Sequence, residues 1–560
     1  MQKRNVIFLS AASVLLLSSC SSKLGALSSD NFSVAPNPLE SHAGQVSATI
    51  NGMFPEKYMK KKAVVTVTPE LRYANGQVAR GTSATFQGEK VEGNDQTISY
   101  LTGGHYTMKS NFKYVPDMHK SELYLTFDAK VGKKQKEVPA VKVADGVIAT
   151  SELAGRTVTS AQACIAPDAF QRVTEQKQEA SIKFLIQQAT LRKSELKNNS
   201  VTEFVDLLKR INADKEGLNL TAVEIASFAS PDGGEKLNEK LASQRKSNTE
   251  KYVDQQLKQT KNTGAEVEAK YTAQDWEGFQ ELVKASDIQD KDVILRVLSM
   301  YKDPEEREQQ IKNLSSAFRE LADGILPQLR RSRLTINYEV IGRDDDQITE
   351  QLKADATKLS VEEMLYAATL TDNANEAEAV YKKTAEVYPN DCRAYNNIAT
   401  IEYAKGNYAS AKQYAQKALA IDGKSGEANA NLGLLALQSG DVNTAENYIA
   451  KAGDANGVAE VLGNLHLAQG KYAQAEQDFS KINSNSAALA QIMNKNYAAA
   501  AKTLGNIQSA DATTEYLKAV LAARQGDNAD AATALRKAIS KDSSYAKYAA
   551  EDLELSKVSK

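Results

Sequence analysis

Few side chains in this chain are placed to do covalent chemistry. It holds 3 cysteines and 4 histidines. Cys164 and Cys392 lie more than two hundred residues apart, too isolated for a disulfide framework, and Cys20 closes an N-terminal apolar run. His42, His105, His119 and His466 are scattered, and none has a partner at metal-ligand spacing. No G-x-S-x-G, H-E-x-x-H or Walker loop occurs, and pairs such as Glu362-Glu363 read as solvated helix faces. The densest polar constellation is Ser230-Pro231-Asp232-Gly233-Gly234, a turn by composition. A helical stretch follows it with Asn238 and, seven residues later, Arg245. No nucleophile constellation accompanies these residues, so the expectation is a non-catalytic protein without metal or cofactor.

The elements around them begin with Met1-Gln2-Lys3-Arg4, an apolar run from Val6 to Leu17, and Leu17-Ser18-Ser19-Cys20. A short basic region before a ~7–15-residue apolar stretch is a secretory signal, too short to span a membrane. The last four residues resemble the lipobox of bacterial lipoproteins. The resemblance implies a signal peptide at 1–19, cleavage after Ser19 and acylation, palmitate included, of Cys20. The bland alternative is an ordinary cleaved signal with an incidental cysteine. Residues 20–44, rich in Ser, Asn and Pro up to Asn37, are expected to form the lipid anchor and a flexible tether.

The composition, 42% hydrophobic and 25% charged, assigns most of the 560 residues to folded domains, about three or four by length. A net charge of -2 offers no basic stripe for nucleic acid. No later apolar run approaches the ~18 residues of a membrane span, which leaves the lipid as the expected membrane contact.

Residues 45–150 alternate with period two. Candidate strands include 63–67, 97–101, 106–108 and 122–127, with turn signals at Asn75-Gly76 and Thr102-Gly103-Gly104. Roughly eight such strands predict an antiparallel β-sandwich serving as a spacer or interaction module. A linker is expected at 151–180. Beyond it the chain reads as a strand at 182–186, a helical pattern from Gln187 through Arg192 to about Ile211, a strand at 222–229, the Ser230–Gly234 turn, a helix at 235–258 and a last strand at 333–340. That order predicts an α/β layer with helices on one face. Apolar spacing of three and four marks 276–328 as a helical insertion.

The stretch from Val223 to Val253 resembles the OmpA-like periplasmic domain, a family that binds peptidoglycan. The matching elements are the strand into Ala229, Gly233 in the loop, Asn238, Leu241 and Arg245. Ile182 to Leu207 is similar to that family's first strand and helix. The resemblance places an OmpA-like domain at 181–342 and implies a site in which a loop aspartate and a helix arginine hold the diamino acid of the stem peptide. Arg245 stands at the arginine position. The aspartate position, eight residues before Asn238, holds Ser230. A serine supplies no charge to an ammonium, a loss of roughly 1–3 kcal/mol. Asp232 is either a substitute carboxylate or a solvated turn residue, and the domain either binds the wall or keeps the fold as architecture.

From about Leu359 the chain turns alanine-rich and repetitive. Gly406, Gly440, Gly470 and Gly526 each precede an alanine five residues on, namely Ala411, Ala445, Ala475 and Ala531, and Lys495 with Ala500 forms a degenerate copy. Gly406 and Gly440 are 34 residues apart. This pattern resembles the tetratricopeptide repeat, two antiparallel helices per unit, and implies an all-α solenoid at 357–555 that binds protein partners. Taken together, the resemblances imply an outer-membrane lipoprotein facing the periplasm. It would be a non-catalytic scaffold with peptidoglycan on its OmpA-like domain and proteins on its repeats. The alternative is an accessory partner-binding subunit of an outer-membrane or secretion assembly that binds no peptidoglycan.

Overall fold

A computed structural model describes residues 24–288, 290–313 and 315–558. The expected signal, lipobox and Cys20 lie outside these residues. The chain forms two compact units. One joins the chain up to Asp168 with the chain from Thr371 onward; the other is Ala169–Leu370. Among the described residues no helix is long and apolar enough to cross a membrane.

The N-terminal region is β-rich, and its two layers follow from alternation. In Gln45–Phe54, Val46, Ala48 and Ile50 point inward while their neighbours face out. This strand pairs with Phe32–Ala35, Leu39–His42 and Gly104–Lys113. The opposite layer contains Ala63–Tyr73, Gln77–Arg80, Ala84–Gly88, Gln96–Ile98, Ser121–Val131 and Lys134–Ile148. Residues of both layers share one apolar cluster, in which the rings of Phe86 and Tyr106 lie 4.3 Å apart. Two pairings depart from the expected antiparallel order. Lys134–Ile148 runs parallel to Leu39–His42 and joins the layers, and Ala84–Gly88 runs parallel to Gln96–Ile98.

The expected tether at 20–44 is corrected in its described part. Leu24 and Leu27 are buried in the sandwich core, and Phe32–Ala35 and Leu39–His42 are strands. Pro36 and Pro38, which read as irregular chain, sit between those strands, where a missing N–H disturbs no ladder.

In the middle unit a four-stranded sheet, among the described residues, runs in the order Val173–Lys183, Arg331–Ile341, Leu218–Phe228, Glu266–Thr272. The two outermost-in-sequence strands pair antiparallel from Val173 with Ile341 to Lys183 with Arg331. Asn199–Ala213 and Glu235–Gln259 cover one face, burying Phe204, Leu207, Leu208, Val253 and Leu257 against Val223, Ile225, Leu334 and Ile336. Three expectations shift. The first strand begins at Val173, within the expected linker. Glu266–Thr272 is an additional strand, parallel to its neighbour. The first helix starts at Asn199 rather than near Gln187, because Gln187 adopts φ +54° and Asn198 caps the helix by accepting from the Val201 N–H at 2.8 Å. The insertion is helical from Trp276 and packs its own core of Phe279, Val283, Ile294, Leu298, Leu321 and Leu329.

The C-terminal region is helical. Antiparallel pairs begin with Cys392–Ala404 and Tyr408–Ile421, then Gly426–Gln438 and Val442–Ile449, then Val458–Ala468 and Tyr472–Asp478. Asn485–Met493 with Tyr497–Asn506 and Ala512–Arg524 with Asn528–Lys541 continue the stack. The shorter spacings late in the array arise from shortened helices. Ala411, Ala445, Ala475, Ala500 and Ala531 are all fully buried where helices approach closely. Each first helix ends on a residue with positive φ: Gly406 at +77°, Gly440 at +80°, Gly470 at +72° and Gly526 at +85°. The next N–H then bonds back to the helix, as Asn407 does to the Glu402 carbonyl at 2.9 Å.

The degenerate repeat keeps this geometry with Lys495 at φ +62°. A non-glycine residue there costs roughly 1–2 kcal/mol, partly offset by the greater unfolded-state freedom of glycine. Lys495→Gly is therefore expected to stabilise the array by about 0.5–1 kcal/mol, read as a higher urea midpoint; an unchanged or lower midpoint would refute the strain.

Candidate functional site

Two places gather polar side chains. The first is the expected Ser230 loop in the middle unit. Asn238 donates to the carbonyls of Ser230 at 2.9 Å and Gly233 at 2.7 Å, so it pins the loop to the start of its helix. Arg245 is 1% exposed. Its Nε donates to the Gln188 carbonyl at 3.0 Å, its Nη1 to Phe228 at 2.8 Å and its Nη2 to Leu185 at 3.4 Å, and it stacks over Phe184. Burial, reinforced by the nearby Arg330 charge and opposed by Asp232, pulls its pKa down to about 10, so it remains a cation at neutral pH.

Sequence reasoning missed Arg330. Its Nη2 lies 3.0 Å from Asp232 Oδ2 and its Nε donates to Ser230 Oγ at 3.1 Å, while Ser230 donates to Asp232. The four expected residues thus converge on a cavity of about 60 Å³, room for a few waters or the tip of one side chain. All three Arg245 nitrogens are engaged by main chain, however, and the Asp232 carboxylate is already matched by a guanidinium. No signal in the Ser230–Arg245 segment identifies Arg330, which lies 98 residues beyond Asp232 at the foot of the last strand. Among the described residues no group of three or more His, Cys, Asp or Glu is placed to hold a metal ion.

The second place is the inner face of the helical array, where a segment expected to be linker is bound. After short helical turns from Thr150 to Ser160, the chain runs extended from Ala161 to Asp168. The Cys164 N–H donates to Asn431 Oδ1 at 2.7 Å, and Asn431 Nδ2 returns a bond to the Cys164 carbonyl at 2.8 Å. Two residues on, Ala166 and Asn397 exchange the same pair at 2.8 and 2.9 Å. Asn396 adds a bond to the Cys164 carbonyl at 2.9 Å and accepts from Asn431 at 2.9 Å. Asn456 donates to the Ile165 carbonyl, Tyr403 to Val158 and Arg393 to Asp168.

Asn397 and Asn431 stand nine residues before Gly406 and Gly440, at one register of successive repeats. Their exposures of 1% and 3% leave them inside the array. A paired amide is suited to this task, since one side chain satisfies both the N–H and the C=O of one extended residue. Two buried asparagines one period apart were the available signal, and sequence reasoning passed over them. Cys164 and Cys392 are free thiols, and burial pushes the Cys164 thiol up to about 12.

A family model for the tetratricopeptide repeat matches residues 392–421, the helix pair that carries Asn396 and Asn397. The helix pair at 392–421 is a tetratricopeptide repeat, and the helical region that continues from it is tetratricopeptide-like. Similar solved structures include a tetratricopeptide repeat protein from Parabacteroides merdae, at 15% identity over 44% of this chain and 99% of that one with a TM-score of 0.28. Pseudomonas aeruginosa pilF matches at 19% identity over 36% and 99%, TM-score 0.27. YrrB, described as a repeat protein with an unusual peptide-binding site, matches at 20% over 37% and 100%, TM-score 0.22. No curated protein matches the chain.

Glu460 borders the bound segment and accepts a hydrogen bond from the Gln162 N–H. Burial still pushes its carboxyl up to about 7. The folded value exceeds the unfolded one, so the folded state binds more protons between them and stability falls as pH rises through that window. Glu460→Gln keeps an acceptor and removes the charge. It is expected to change stability little at pH 5 and to add about 1–3 kcal/mol at pH 8, measured by urea unfolding at both. An equal effect at the two pH values would contradict the assignment.

Proposed function

We propose that this protein is a non-catalytic, lipid-anchored scaffold of the outer membrane, facing the periplasm. Cys20 carries its lipid, and its repeats bind extended segments of partner proteins as an accessory subunit of a larger assembly. One observation carries the reading: the inner face of the array already grips an extended main chain through Asn397 and Asn431. Tetratricopeptide repeats are protein-interaction scaffolds, and a residue-by-residue amide grip is a peptide-binding device rather than a reaction centre.

Peptidoglycan association through an OmpA-like middle domain is the second reading. It is favoured by the cavity between Asp232, Asn238 and Arg245 and weakened by the occupation of both charged partners. In effect, Arg330 already sits where the cation of a diamino acid would be received. We therefore rank the accessory-scaffold reading first and take the Ser230–Asp232–Arg330 cluster as architecture.

Photo-crosslinkers placed along the first helices of the array in living cells are expected to capture discrete protein partners, and Cys20→Ser is expected to release the protein from membranes. Unchanged membrane association of Cys20→Ser would end the lipid-anchor part of the reading, and a lack of discrete crosslinks would end the partner-binding part. For the wall, retention on purified sacculi is expected to be low and equal for wild type and Arg245→Ala; strong retention lost in the variant would reinstate the second reading.

A further inference from the structure

The array's peptide site is not vacant. Cys164 and Ala166 turn inward, 1% and 5% exposed, while Ile165 and Pro167 face outward. Alternate residues therefore enter the site, as in any extended chain. Both inward positions are held by small side chains with almost no exposure, and a Cβ on Gly457 would stand at ordinary van der Waals distance, 3.7 Å, from Cys164 Sγ. Every bond that Asn396, Asn397 and Asn431 make to the segment goes to its main chain. The site's ligand class is thus an extended peptide with small residues at two alternate positions and little demand elsewhere.

We propose that Gln162–Asp168 is a self-ligand, a strap that fills the peptide site in cis and closes it to extended segments of other proteins until it is displaced. The inference rests on the scaffold reading and adds its regulation. Both flanks hold the strap beside its site. On one side Leu153 is buried among Leu489, Tyr516 and Leu517, and Tyr403 holds the Val158 carbonyl. On the other, Arg393 holds the Asp168 carbonyl at 3.0 Å. A short tether keeps such a ligand at an effective concentration on the order of millimolar, so a free peptide of equal intrinsic affinity competes poorly. Because the grip reads main chain, a partner segment with small inward residues makes the same bonds and has the chemistry to replace the strap.

The test uses the full-length chain and, as probe, a fluorescein-labelled synthetic peptide of residues 160–169. In the double variant Cys164→Arg/Ala166→Arg the strap no longer fits. This variant is expected to bind the probe at least tenfold more tightly than wild type by fluorescence anisotropy, and adding Asn397→Ala and Asn431→Ala should abolish the gain. Equal binding by wild type and a folded double variant overturns the proposal.

Should that variant fail to fold, Cys164 reports on the native strap in a Cys20→Ser/Cys392→Ser chain. Maleimide labelling of Cys164 is expected to be at least a hundredfold slower than in the free peptide, and tenfold or more faster once Asn397 and Asn431 are alanine. Labelling as fast as in the peptide, or insensitive to the asparagines, overturns it. If the probe binds as expected but groove crosslinkers capture no protein in cells, the scaffold reading fails and the strap stands.

Discussion

An extended chain leaving a sheet carries N–H and C=O groups that must find partners if they are buried. Unit one meets this constraint with side-chain amides. Ala161 to Asp168 has no strand beside it, and Asn397 and Asn431 take the place of one. The rest of the unit is arranged around that substitution. Thr150 bonds Glu554 at 2.8 Å, and Glu554 pairs with Arg524, both side chains 9% exposed. Arg156 lies over Tyr545 and Tyr548 at 4.9 Å, and Ser41 meets Glu152 at 2.6 Å. The sandwich is therefore fastened to the end of the helical stack through the turns that lead into the strap.

The middle unit obeys the same rule with a different outcome. A buried guanidinium needs acceptors, and Arg245 finds them in three carbonyls of the surrounding strand ends and loop. Binding a foreign charge requires donors or acceptors left over. Around Ser230 few are left, because Arg330 bonds Ser230 and Asp232 while Asn238 is engaged by the Ser230 and Gly233 carbonyls. A site of this composition holds a loop in shape as readily as it would hold a ligand.

Local signals were legible where local physics decides. The 34-residue spacing and the glycines before Ala411 and Ala445 marked helix ends that prove to be left-handed turns, and alternation located strands such as Ala63–Tyr73 and Gly104–Lys113. The strap was not legible, because its partners lie 231 and 267 residues away and its own sequence of small, weakly periodic residues reads as linker. Arg330 escaped for the same reason: a charge pair across 98 residues leaves no trace in spacing. Glu266–Thr272 was hidden by its charged residues, which alternate on a strand buried less than its neighbours. The tether was misread because two prolines outweighed the short apolar alternation of Phe32 and Val34.

The pairing of Val173 with Ile341 bears on how the chain could be cut and rejoined. Register partners on antiparallel strands sit only about 5 Å apart, so the segment from Val173 to Ile341 begins and ends at nearly one point. A module with adjoining entrance and exit can be spliced into a host, or excised from it, without rethreading either.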